Sequence, residues 1–169
     1  MAFLFTNDAF VADDWRSAAP DEAFPLDGKV ILTLPQWQEK REQFETANIP
    51  IGLRLEPGAA VQAIAQDLPR LALVAVNFPK FSDGRGFSMA HQIRGDYGFC
   101  GQLRAVGDIL FDQLQLLARC GFDAFEISDP ATVRLLTAGR RPGLGLFYQP
   151  GLGVEAAEST RPWARRTGN

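Results

Sequence analysis

The run Leu71-Ala72-Leu73-Val74-Ala75-Val76 is apolar at every position. A strand with one wet face alternates apolar and polar residues. One that does not alternate is covered on both faces, which is the condition of a strand inside a parallel sheet. Shorter strand-like runs recur as Val30-Ile31-Leu32, as Ile51-Gly52-Leu53-Arg54-Leu55, over 103–106 and over 124–127. Each is followed by a loop and then by a helical pattern.

The helical patterns carry start and stop signals. Pro35 suits the first turn of a helix bearing Trp37 and Phe44. Pro57-Gly58 opens a predicted helix striped by Val61, Ile64, Ala65 and Leu68. A helix is expected from about Ser88 to Tyr97. Asp108 is placed to cap a helix with Leu110, Leu114, Leu117 and Ala118 that stops at Gly121, and Asp129-Pro130 to cap one ending at Gly139. Five strand-then-helix units in succession predict a single α/β domain with a parallel sheet and right-handed crossovers. Two architectures satisfy that pattern: a doubly wound sheet, or a partial barrel of the TIM type. Ahead of the units, Phe3-Leu4-Phe5 and Phe10-Val11 flank a turn at Thr6-Asn7-Asp8 and predict a small β-hairpin. The chain therefore divides into a hairpin with an acidic loop (1–27), an α/β core (28–139) and a Gly/Pro-rich tail (140–169). The tail is expected to pack on the core and end in disorder.

At 169 residues, 46% of them hydrophobic, the chain can build one core without staples. A net charge of −3 argues against general nucleic-acid binding. The charge is uneven. Residues 8–22 hold Asp8, Asp13, Asp14, Asp21 and Glu22 against Arg16, whereas 80–104 hold Lys80, Arg85, Arg94 and Arg104 against Asp83 and Asp96. A local positive potential over the later loops is the expectation. Two cysteines and one histidine cannot furnish an iron–sulfur cluster or a regular Cys/His zinc site, so no intrinsic cofactor or metal is expected. No apolar run reaches the length of a membrane span and no signal peptide opens the chain, which predicts a cytoplasmic protein.

In parallel α/β proteins, ligands bind where strands run out into loops. Here those loops are Pro79–Ser88, Gly107-Asp108 and the segment after Ile127. Gly84-Arg85-Gly86-Phe87-Ser88-Met89 misses the dinucleotide fingerprint at its last position, and Gly86-Phe87-Ser88-Met89-Ala90 misses the nucleophile elbow. The stretch reads better as an anion cradle. Gly84 and Gly86 allow close backbone approach, Ser88 caps the helix and binds oxygen, and Arg85 offers a planar fork. Lys80, Asp83 and Arg104 complete the expected ligand set. The competing structural reading is a turn with a cap and a solvated arginine. His91, Asp108 and Glu126 are the acid–base candidates, each with an ordinary alternative in helix packing or capping. Cys120 sits at a helix end, where the dipole raises a thiol pKa.

The runs 77–88 (Asn77-Phe78-Pro79-Lys80-Phe81-Ser82-Asp83-Gly84-Arg85-Gly86-Phe87-Ser88), 101–108 (Gly101 through Asp108) and 119–126 (Arg119 through Glu126) resemble a bacterial family of unknown function. Its members are commonly encoded beside assimilatory sulfite reductase and carry the label of an oxidoreductase involved in sulfite reduction. The resemblance extends over about residues 30–139 and is strongest over 77–126. It implies sulfur assimilation as the setting, with sulfite reductase or a neighbouring enzyme as partner, and brings no catalytic residues with it. Cys100 stands where a non-thiol residue is expected. A redox label without a carrier site points to an accessory role. An independent α/β enzyme and a sensor of an anionic metabolite are the alternatives.

Overall fold

The computed structural model describes residues 2–19, 27–46, 49–143 and 151–152, with side chains for all of these except 44–46. Eight strands form one sheet: β1 (Phe3–Thr6), β2 (Ala9–Val11), β3 (Trp15–Ser17), β4 (Lys29–Thr33), β5 (Ile51–Leu55), β6 (Leu73–Phe78), β7 (Gln102–Gly107) and β8 (Ala124–Ile127). Their spatial order is β2-β1-β8-β7-β6-β5-β4-β3. From β3 to β8 the strands are parallel and adjacent in chain order, while β1 pairs antiparallel with both β8 and β2.

A doubly wound sheet reverses its strand order and carries helices on both faces. Neither holds here. Helices α1 (Leu34–Thr46), α2 (Arg85–His91), α3 (Leu114–Arg119) and α4 (Pro130–Thr137) lie on the side where Val30, Leu32, Leu53, Leu55, Val74, Val76, Leu103 and Ala105 form the main core. A right-handed crossover that always advances to the next strand puts every helix on the same side and curls the sheet into a half-barrel. The partial-barrel alternative is the observed one. The other face holds a small cluster of Ile31, Leu73, Ala75 and Val106 under Trp15.

The hairpin forms as predicted. Asn7 and Asp8 take left-handed φ values of 48° and 61°, the geometry a two-residue hairpin turn demands. Phe10 packs edge-on against Phe5, with ring centroids 5.1 Å apart.

Three expectations need correction. Residues 12–27 are not all loop, because Trp15–Ser17 adds a parallel edge strand to β4. The predicted helix after β5 is two short 3₁₀ turns, Val61–Ile64 and Leu68–Arg70, with Val61, Ile64 and Leu68 buried. Pro69 removes an amide donor and disfavours helix at the residue before it. Asp67 then serves the core, accepting from Trp37 Nε1 at 2.9 Å and Arg41 Nη2 at 2.8 Å. Finally, α2 begins at Arg85 rather than Ser88 and continues as a wide turn over Gln92–Asp96.

The described tail packs on the core. Arg141 donates to the Asp8 carboxylate at 2.7 Å and to its carbonyl at 2.8 Å, and lies over the Phe5 ring. The expected disordered end, the Phe44 side chain and the acidic residues Asp21 and Glu22 lie outside the described residues. Among the described residues no helix is long and apolar enough to cross a membrane.

Candidate functional site

Parallel β6, β7 and β8 bring the loops that follow them to one edge, and Asp108 joins the first two. Its Oδ2 accepts from the Phe81 amide at 3.0 Å, while its own amide donates to the Phe78 carbonyl at 2.7 Å. Gly107, just before it, has φ +102°, and a Cβ there would overlap the Phe78 carbonyl. Only glycine allows that approach. Asp108 is thus a tether between loops and not the predicted helix cap; the following 3₁₀ turn starts after Leu110 instead. Gln113 makes the second tether, donating to the Phe81 carbonyl at 2.6 Å and accepting from the Leu110 amide at 3.1 Å.

The Arg85 fork expected to meet an anion is paired within the chain itself. The Asp83 carboxylate accepts from Arg85 Nε at 2.9 Å, from Arg85 Nη2 at 2.7 Å and from the Arg85 amide at 3.2 Å. It therefore takes both teeth of the fork and one free amide at the start of α2. The Arg85 hydrogen bonds hold the Asp83 carboxyl below the usual aspartate range, and Asp83 raises the Arg85 pKa in return. The Arg85 side chain is nevertheless 63% exposed. Lys80 is exposed on the same turn, which is closed by the Asp83 amide donating to the Lys80 carbonyl at 2.9 Å.

The remaining cradle residues divide. Gly84 is exposed, and a Cβ there would meet nothing, so packing does not explain it. Gly86 is buried, and a Cβ there would overlap the Phe78 ring; its small size serves packing. Ser88 is the fourth residue of α2, exposed, and caps nothing. His91 is exposed at the far end of the same helix and is not brought to the loop edge.

Arg104 is the largest departure from expectation. It lies inside β7 on the face away from the helices, with its side chain 0% exposed. Asp13 accepts from its Nη1 at 2.6 Å and its Nη2 at 3.1 Å, and Gln102 Oε1 accepts from Nη2 at 2.9 Å. It is a buried ion pair and not a helper on the loop. Arg94 is likewise engaged, donating to the carbonyls of Phe99, Gly101 and Gly121 and to Asp123. Three of the four expected cations are thus neutralised by ion pairs, which removes the basis for a strong positive field over these loops.

The face away from the helices carries polar groups that the sequence reading did not assign. Arg54 and Glu56 point the same way by strand alternation. Glu56 accepts from Arg54 Nε at 3.2 Å and from Asn77 Nδ2 at 2.6 Å. Arg54 stands beside Ala75, with Arg104 on Ala75's other side. Glu126 is on this face of β8, half-buried, opposite Leu4. The alternation Arg54-x-Glu56 was the available signal for this row. Asp13 had none, because its partner is far away in sequence.

Burial pushes the Cys120 thiol pKa up, against the pull of Arg119, so this cysteine is not an activated nucleophile. Cys100 is exposed at the opposite edge of the sheet, beside a pocket of about 280 Å³ lined by Leu68, Leu71, Tyr97 and Phe99.

Comparison with curated proteins and with solved structures gave no match. A family model does match, over residues 52–157, from β5 to beyond α4. The chain belongs to the bacterial protein family of unknown function DUF934.

Proposed function

We propose that this protein is an accessory component of assimilatory sulfite reduction, working beside sulfite reductase or a neighbouring sulfur-assimilation enzyme and binding a small oxyanion on the loop 80–88. The pathway rests on the resemblance carried by the 77–88, 101–108 and 119–126 runs. The oxyanion rests on one observation: Arg85, largely exposed, already grips a carboxylate in a two-toothed hydrogen bond. A fork arranged for the Asp83 carboxylate also suits sulfite, sulfate or phosphate, with Asp83 as the group to be displaced. Lys80, on the same turn, adds charge. Too few cysteines and histidines for a cluster, together with the missed dinucleotide fingerprint at 84–89, are why this reading leaves electron transfer to the partner enzyme.

Titration calorimetry with sulfite, sulfate and phosphate tests the site. Arg85→Ala is expected to weaken binding at least about 10-fold, the scale of one charge-assisted pair. Asp83→Asn removes the internal competitor and is expected to strengthen it. Equal affinities for wild type and Arg85→Ala, or no binding at millimolar anion, would refute the site.

A second reading is an independent α/β enzyme or a sensor of an anionic metabolite. Its support is the polar row on the face away from the helices, where Glu56 is oriented by Asn77 and Arg54, with Glu126 further along the same face.

A further inference from the structure

Phe81 is the residue of this edge that an oxyanion alone does not explain. The residue is 53% exposed, more than any other phenylalanine whose side chain is described. Its backbone is nonetheless fixed at both ends, the amide by Asp108 and the carbonyl by Gln113, within the closed turn 80–83. Ordering a surface residue costs backbone entropy. Here that cost fixes the backbone under a flat apolar side chain that is not part of the core clusters. Two residues later Asp83 holds the exposed fork of Arg85. The turn therefore carries an exposed aromatic residue on a fixed backbone four residues before the exposed guanidinium of Arg85.

A flat face suits a planar ring, and a fork suits an oxyanion. We infer that the loop binds a planar aromatic ring bearing a phosphate, in the manner of a mononucleotide. The ring stacks on Phe81 and the phosphate displaces Asp83 from Arg85. The inference rests on the oxyanion reading of Arg85 above and supplies its substrate class. The tethers from Asp108 and Gln113 have a role in it, since a backbone already held in place loses little freedom when a ligand stacks on the side chain it carries.

The test is a set of calorimetric titrations of the full chain with inorganic phosphate, ribose 5-phosphate, phenyl phosphate and AMP. The ring-bearing phosphates are expected to bind about 10-fold tighter than ribose 5-phosphate, the scale of one aromatic stack. Phe81→Ala keeps both backbone tethers and should erase that difference while leaving phosphate affinity as it was. Phe81→Leu keeps apolar volume without the flat face and should erase most of it. Equal binding of AMP and ribose 5-phosphate by wild type overturns the inference, as does an undiminished preference in both variants. An Arg85→Ala variant that binds phosphate as well as wild type, or a wild type that binds none of the four, overturns the oxyanion reading together with it. If Arg85→Ala weakens phosphate but no ring preference exists, this inference alone falls.

Discussion

Arg104 and Asp13, 91 residues apart in sequence, form a two-toothed ion pair at 2.6 and 3.1 Å, with the guanidinium wholly removed from solvent. Removing one member leaves a buried charge without a counter-ion, and that is far costlier than removing both. Asp13→Ala is expected to destabilise the protein by about 3 kcal/mol, the lower end of the range because Asp13 stays partly exposed. The pair Asp13→Leu with Arg104→Met should lie within about 1–2 kcal/mol of wild type. Urea unfolding of the three proteins decides it; a double variant worse than Asp13→Ala would contradict the account.

Two glycines of the same loop should behave differently. Gly86→Ala forces a methyl group against the Phe78 ring and is expected to cost about 1–3 kcal/mol. Gly84→Ala meets open space and should shift stability by less than about 1 kcal/mol. Thermal melts give both numbers, and equal effects would show that Gly86 is not packed as described.

Asp129 caps α4, accepting from the Thr132 hydroxyl at 2.6 Å and from its amide at 2.7 Å. The Thr132 hydrogen bonds, the hydroxyl first, hold its carboxyl pKa below the ordinary aspartate value. A lowered folded pKa means that the stabilisation is complete above the unfolded pKa and fades as pH falls through the folded one. The stability gap between wild type and Asp129→Asn should therefore be widest near neutrality and narrow below about pH 4. Denaturant midpoints measured from pH 7 to pH 3 would show it; a gap that stays constant with pH would assign the cap to something other than the charge.

The pathway proposal predicts a phenotype. Deleting the gene should slow growth on sulfate or sulfite as sole sulfur source, with cysteine restoring it, and the tagged protein should recover sulfite reductase or a neighbouring enzyme. The purified protein should show no flavin, haem or cluster absorption. Normal growth of the deletion strain, in a host without a second copy, would end the pathway assignment.

The parallel core was legible because burial on both faces removes alternation, as in Leu73–Phe78. Trp15–Ser17 was not, since three residues on an edge carry no periodic signal. The 61–70 segment misled because apolar residues three apart satisfy an α-helix and a 3₁₀ turn alike, and only Pro69 argued for the shorter form. At the candidate site the turn at Asp83-Gly84 was legible, whereas the pairing of Arg85 with Asp83 was not assigned, Arg85 being read as a ligand fork or as a solvated side chain. Arg104 was not legible either, because its position inside a strand matters less than which distant segment crosses over it. The loops' apparent positive charge failed in part for the same reason: the counter-ions of Arg94 and Arg104 are distant in sequence and chosen by the fold.

That crossing has a consequence in time. Residues 3–17 supply both margins of the sheet, β1 and β2 beside β8, and β3 beside β4. The segment between them runs from one margin to the other like the string of a bow, fastened at Asp13. During synthesis β1 can pair with β2 at once, but its other edge must wait for β8, which follows β3 to β7 in the chain. Contacts that distant are slow to form, so the apolar hairpin spends the longest interval unprotected. The pairing of β1 with β8 joins the two segments of the sheet that lie furthest apart in sequence.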